Sequence, residues 1–216
     1  MQLLSDLLRE RDPRTRVHLC ECNEGRTLDG VAAGGGRVAK EIRAVLGAQV
    51  PVTVPGGRAG DPNPNAPARV SLLGNSLGGL YMRHAAAELF GAPLRVNGRL
   101  VEPHKFVTTA SPSLGVADHT YLPLPQKLLP ALLRRLPLPL TYKDLFLATP
   151  LVHAMCTEPS FLGPLSLFSE RVALASGFAA DFLVPASTGL FLAGGDARHS
   201  LRPAPNAPPL VPAVYE

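Results

Sequence analysis

Residues 70–90 begin with a short apolar run, Val70-Ser71-Leu72-Leu73, pass through Gly74-Asn75-Ser76-Leu77-Gly78, and continue at helical period to Phe90. Buried strand, Gly-x-Ser-x-Gly, then helix is the context in which this motif forms the nucleophile turn of a serine hydrolase. A serine at the tip of a tight, strained turn stands clear of the sheet and faces a substrate. The flanking Gly74 and Gly78 are expected because a side chain there would collide with the neighbouring strand and helix. The backbone N–H of Leu77, next after the nucleophile, is placed to meet the oxygen that becomes negative during attack. The helix that follows adds its positive N-terminal end. The plainer alternative is a glycine-rich strand-to-helix turn with an idle serine.

The rest of the chain supplies a matching frame. Leu3, Leu4, Leu7 and Leu8 repeat at helical spacing up to Asp12-Pro13, and Arg16 to Cys20 reads as a short strand. Gly34 to Leu46 is helical, with Val38, Ile42, Val45 and Leu46 on one face. Residues 55–68 hold four prolines, three glycines and two asparagines and read as a loop. Phe106 to Thr109 and Arg171 to Ala175 are further strands. Strands alternating with helices predict an α/β fold, a mainly parallel sheet with helices on both faces. One hydrolase domain is expected over residues 1–201, with 111–170 as a candidate lid or insertion and the proline-rich 202–216 as a disordered tail. Within 111–170, Leu128, Leu129, Leu132, Leu133 and Leu136 share one helical arc, with Lys127 and Arg134 opposite. That arc is either a surface helix packed on the core or a lid over a greasy site.

With 216 residues the chain has room for one substantial core and hardly for two. Its net charge of +4 is spread over scattered arginines, so no stripe suits a phosphate backbone and nucleic acid is not an expected partner. Three cysteines, two of them one residue apart, point to a reducing compartment, and the charged N-terminus reads as neither signal peptide nor anchor. No apolar window is long enough to span a membrane. The expected location is intracellular, cytoplasmic or peripheral to a membrane.

A serine hydroxyl needs a histidine to take its proton and a carboxylate to orient that histidine. In this fold the chain order is serine, acid, histidine. Of Asp118, Asp144, Asp181 and Asp196, Asp181 is best placed, following the Arg171–Ala175 strand by a short loop and leading into Val184-Pro185. Among the histidines, only His199 lies beyond it, 18 residues on, a short distance for a helix, a strand and a loop. His18, Cys20 and Cys22 resemble metal ligands, but they alternate along a strand and lack a second cluster. Gly34-Gly35-Gly36 is followed by no Gly-Lys-Ser/Thr and reads as a helix-start loop rather than a phosphate cradle. No metal and no cofactor are expected.

The chain resembles the serine esterase family of Rog-type lipases in the α/β-hydrolase superfamily, over residues 3–193. Asn23…Thr27-Leu28-Asp29-Gly30-Val31 is similar to that family's Asn…Thr-x-Asp-Gly-Ile. Gly35-Gly36-Arg37-Val38-Ala39-Lys40-Glu41-Ile42 is similar to Gly-x-Arg-Leu/Val-Ala-x-Glu-Ile. Gly74-Asn75-Ser76-Leu77-Gly78-Gly79-Leu80 resembles the nucleophile motif, with Asn75 where the family has histidine. Phe106 to Gly115 resembles Phe-x-Thr-x-Ala-Thr-Pro-His-Leu-Gly, and Arg171 through Asp181 resembles the segment that carries the acid. The resemblance implies a lipase or esterase acting on acylglycerols or phospholipids, with contact to a membrane or lipid-droplet surface. Family members also place a strand and a His-Gly oxyanion loop upstream of the first helix seen here, and a histidine region near the C-terminus. The resemblance therefore implies a gap in the middle of the sheet and loss of one of two oxyanion donors, worth roughly 3 kcal/mol. A truncated product is the corresponding expectation, and a catalytically weak or inactive binding protein is the rival to the enzyme.

Overall fold

The computed structural model describes residues 2–13, 15–49, 67–117, 129–175 and 189. Helix α1 spans Gln2–Arg11 and α2 Val31–Gln49; β1 (Ala68–Asn75) leads into α3 (Leu77–Phe90). The short β2 (Arg95–Val96) and the long β3 (Arg99–Thr109) follow. Helices α4 (Leu129–Arg135), α5 (Leu140–Leu145), α6 (Leu151–Thr157) and α7 (Pro159–Ser166) lead to β4 (Glu170–Leu174).

The sheet is open and mainly parallel, the α/β arrangement expected from alternating strands and helices. β3 is central, flanked by β1 on one side and by β2 and β4 on the other. β1 and β4 run parallel to β3, and β2 pairs with it antiparallel. Among the described residues β1 is paired along one side only. Pro103 has no N–H to give the ladder, and a bulge forms there: the two steps from Val70 to Leu72 face three steps from Pro103 to Phe106. Beyond it the register places Asn75 beside Thr109 and Thr109 beside Leu174, so three parallel strands end level with one another.

Helix α3 is the hub of the core. It buries Leu80, Tyr81, Ala85, Ala86, Leu89 and Phe90 against the sheet, α2 and α7. Phe168 packs edge-on against Phe90 and Phe106, with centroids 5.5 and 5.4 Å away. Gly34 to Gly36 lie inside α2, not in a loop before it. Their role is close helix approach: a Cβ at Gly34 would overlap the Tyr81 ring, and one at Gly35 would lie 2.5 Å from His84 Cβ. Arg16 to Cys20 is extended chain without ladder partners among the described residues, so the predicted strand does not form there. β2 and β3 form a hairpin around Asn97-Gly98, both with positive φ (51° and 81°), as a two-residue turn requires.

Asp144 is buried in α5 and holds the entry to α2. Its carboxylate accepts the Val31 N–H at 2.8 Å and the Thr149 hydroxyl at 2.5 Å. Beside it, the Thr141 hydroxyl donates to Thr27 carbonyl oxygen (2.6 Å) and accepts the Gly30 N–H (2.9 Å). The Thr27–Val31 stretch is thereby tied to a segment more than a hundred residues later. Asp144→Ala strands a buried N–H at the positive end of a helix, and it is expected to lower stability by about 2–4 kcal/mol in urea unfolding. Unchanged stability would contradict that assignment.

In α4, Leu133 is buried, in a small cluster with Ala148, Leu138 and Phe146, while Leu132, and Leu136 just past the helix, remain exposed. The leucine arc is thus split between packing and solvent; Lys127 and Leu128 lie outside the described residues. Among the described residues, no helix is long and apolar enough to cross a membrane.

Candidate active site

Ser76 sits between β1 and α3 with φ 51° and ψ −128°. Positive φ costs a residue with a Cβ, and this ψ lies outside the left-handed helical basin as well. Two hydrogen bonds hold the turn in place. Ser76 N–H donates to the Thr109 carbonyl at 2.8 Å, tying it to the end of β3, and Gly79 N–H donates to the Ser76 carbonyl at 3.0 Å. Ser76 is the N-cap residue of α3, yet its hydroxyl does not cap the helix. The side chain is exposed and makes no hydrogen bond among the described residues.

The glycines around it divide the work differently from the sequence expectation. A Cβ at Gly74 would fall 2.5 Å from Gly79 Cα and 2.6 Å from Gly78 carbonyl oxygen. A Cβ at Gly79 would overlap the Ser111 side chain and come 3.2 Å from Thr108 Cγ2. At Gly78 it meets nothing within 4 Å among the described residues. The collision argument therefore applies to Gly74 and Gly79, and Gly79 takes the part expected of Gly78. Asn75 faces Thr109 across the ladder and accepts its hydroxyl at 2.8 Å. Leu77 is the first residue of α3, so its N–H has no acceptor within the helix and lies beside the nucleophile.

The other half of the expected triad lies outside the described residues: Asp181 and His199 both do, as do Asp118, Asp196 and His119. Gly189, between Asp181 and His199 in sequence, is buried and helical, against Ala175 just past β4 and near the Ser111 carbonyl. Asp144, another acid considered, is occupied in capping α2. The described histidines are engaged elsewhere. His18 bonds Glu41 at 2.7 Å, His104 lies 3.4 Å from Ser71 Oγ, and His153 is exposed on α6.

His84, on α3, packs at a tilt of 55° against Phe161 with centroids 5.7 Å apart. Its Nδ1 is 3.3 Å from Glu88 without hydrogen-bond alignment. Burial pushes its pKa below the ordinary 6.5, against the opposing pull of Glu88 and Asp144. A folded-state pKa below the unfolded one means the unfolded chain binds the proton first. Its share of stability is present above about 6.5 and lost as pH falls below it. Chemical denaturation from pH 7.5 to 5 is expected to show that loss, and His84→Gln is expected to reduce the slope.

A concavity of about 800 Å³ opens between Arg69, Phe90, Leu94, Val101, His104 and Leu167. It lies at the opposite end of β1 from Ser76 and includes no residue of the nucleophile turn, so it is not assigned to the substrate.

No curated protein and no solved structure is significantly similar to the chain. A family model described as "Putative serine esterase" matches residues 1–195. That span contains the turn at Ser76, the strands that end beside it and the helix that starts from it, and the chain belongs to this serine esterase family.

Proposed function

We propose that the chain is a lipase or carboxylic ester hydrolase acting on lipid esters, acylglycerols or phospholipids, through an acyl-enzyme on Ser76. The observation that carries this reading is the backbone of Ser76 itself, held at φ 51° and ψ −128° with a hydroxyl that caps nothing. Strain of this kind persists only where surrounding structure holds it in place, and here the bonds from Ser76 N–H to Thr109 and from Gly79 N–H to Ser76 hold it. In the proposed reaction Oγ attacks the ester carbonyl carbon as a base takes its proton. The carbonyl oxygen gains negative charge beside the Leu77 N–H and the α3 N-terminus, then collapses to expel the alcohol, which takes up the proton. Water repeats the sequence on the acyl-serine and releases the acid.

Asp181 orienting His199 is the proposed source of that base. Support comes from the level ends of β1, β3 and β4, because parallel sheets gather their chemistry at the carboxyl ends of the strands. Asp181 follows the end of β4 by seven residues. The lipid preference is supported by exposed Leu132 on α4, Leu136 just after it and Leu140 at the start of α5. Such a surface suits peripheral contact with a membrane or lipid droplet.

The rival reading is a hydrolase-derived binding protein without turnover. Hydrolysis separates the two. Given p-nitrophenyl butyrate, p-nitrophenyl palmitate, dioctanoylglycerol and phosphatidylcholine in mixed micelles, the chain is expected to release product and to favour the longer acyl chains. Release from none of the four would overturn the enzymatic reading, and release from butyrate alone would overturn the lipid preference.

A further inference from the structure

His18 and Cys20 lie on alternate positions of an extended segment, so their side chains share one side, and Cys22 follows in the turn just beyond it. In sequence they lack a second ligand cluster, and the fold supplies the missing group from α2. Glu41, in the interior of that helix, reaches the segment with its carboxylate. One ligand atom each from His18, Cys20 and Glu41 lie within 4.8 Å of one another. His18 Nε2 is 2.7 Å from Glu41 Oε1. Backbone N–H groups of Glu21 and Cys22, at 3.2 and 3.1 Å, fix the orientation of the carboxylate.

We propose that His18, Cys20, Cys22 and Glu41 form a zinc-type metal site that fastens residues 18–22 onto α2. Two sulfurs, one imidazole nitrogen and one carboxylate oxygen are donors that a borderline-soft divalent ion prefers, and they fill a tetrahedral shell. Magnesium and calcium, which take oxygen ligands, are disfavoured. Bonds of about 2.0–2.3 Å put neighbouring ligands about 3.3–3.8 Å apart. His18 and Glu41, 2.7 Å apart, open slightly to reach that spacing, Cys20 closes by about 1 Å, and Cys22, outside the close group of three, turns in to complete the shell.

On binding, each S–H bond breaks, its electron pair goes to the metal and its proton leaves to solvent, about two protons per ion.

The test uses the full chain, reduced and freed of metal, titrated with cobalt(II) and then with zinc. One cobalt per chain is expected, with a sulfur-to-cobalt charge-transfer band and tetrahedral d–d absorption, both erased by zinc. Cys20→Ser with Cys22→Ser is expected to abolish the bands, and Cys156→Ser to leave them intact. His18→Ala changes a side chain that is 39% exposed and leaves folding unthreatened. It is expected to weaken binding by at least the roughly 10- to 100-fold that even an outer-shell change costs. It decides the case if the double variant does not fold. Absence of the charge-transfer band, bands that survive the double cysteine variant, or an affinity indifferent to His18→Ala would each overturn the site.

Discussion

Gly74→Ala is expected to lower stability by about 3 kcal/mol or more and to abolish the proposed esterase activity. The added methyl would sit 2.5–2.6 Å from Gly79 Cα, Gly79 N and Gly78 carbonyl oxygen. All three are backbone atoms in the first turn of α3, so no rotamer change relieves the overlap. Relief requires β1 and α3 to separate, and α3 is the helix around which the core is packed. Gly78→Ala provides the internal comparison. Its methyl meets nothing within 4 Å among the described residues, and no positive φ is required of it. Its expected effect on stability is within about 0.5 kcal/mol. Equal losses from the two substitutions, read as shifts of the urea midpoint, would contradict this division of roles.

Ser76→Ala is expected to remove roughly 10⁴- to 10⁶-fold of kcat, the scale on which loss of a hydrolase nucleophile acts. Alanine keeps the Cβ and therefore the backbone strain, so stability should change by less than about 0.5 kcal/mol. Ser76→Gly is more telling. Glycine adopts φ 51° and ψ −128° without penalty, so this variant should be as inactive as Ser76→Ala yet more stable by about 1 kcal/mol. Opposite signs in activity and stability at one position mark strain kept for function. Retention of full activity in either variant would exclude Ser76 as nucleophile.

Much of this was legible from local pattern. α3 occupies the span read from its apolar period, and β1 and β4 match their predicted runs within two residues. The turn at Ser76 was visible because its constraint is local: a strained serine needs glycine neighbours at fixed offsets. Asn97-Gly98 carried an equally local hairpin signal, and it was missed because the strand before it has only two residues. Gly34 to Gly36 were placed at the start of a helix that begins three residues earlier, and their cause, the Tyr81 ring and His84 Cβ on α3, lies some fifty residues away. Arg16 to Cys20 alternates like a strand, but alternation supplies no ladder partner, and none is present among the described residues.

Long-range pairs were the least legible part of the site. Asp144 reads as one acid among four in the sequence, and only the fold shows its carboxylate committed to Val31 and Thr149. Glu41 is an ordinary helix glutamate until α2 docks beside the segment with His18, Cys20 and Cys22. Asp181 and His199 lie outside the described residues, so their roles rest on chain order and on the strand that precedes Asp181.

Reaction of the intact folded chain with a fluorophosphonate probe, followed by mass spectrometry of the labelled peptide, tests the central claim most directly. A phosphonate forms a covalent bond only with a serine that is both accessible and activated as a nucleophile. The expected result is one adduct per chain, on Ser76, absent from Ser76→Ala and absent after heat denaturation. A folded chain that takes up no probe, or takes it up on another serine, would contradict the assignment of Ser76 as the working nucleophile.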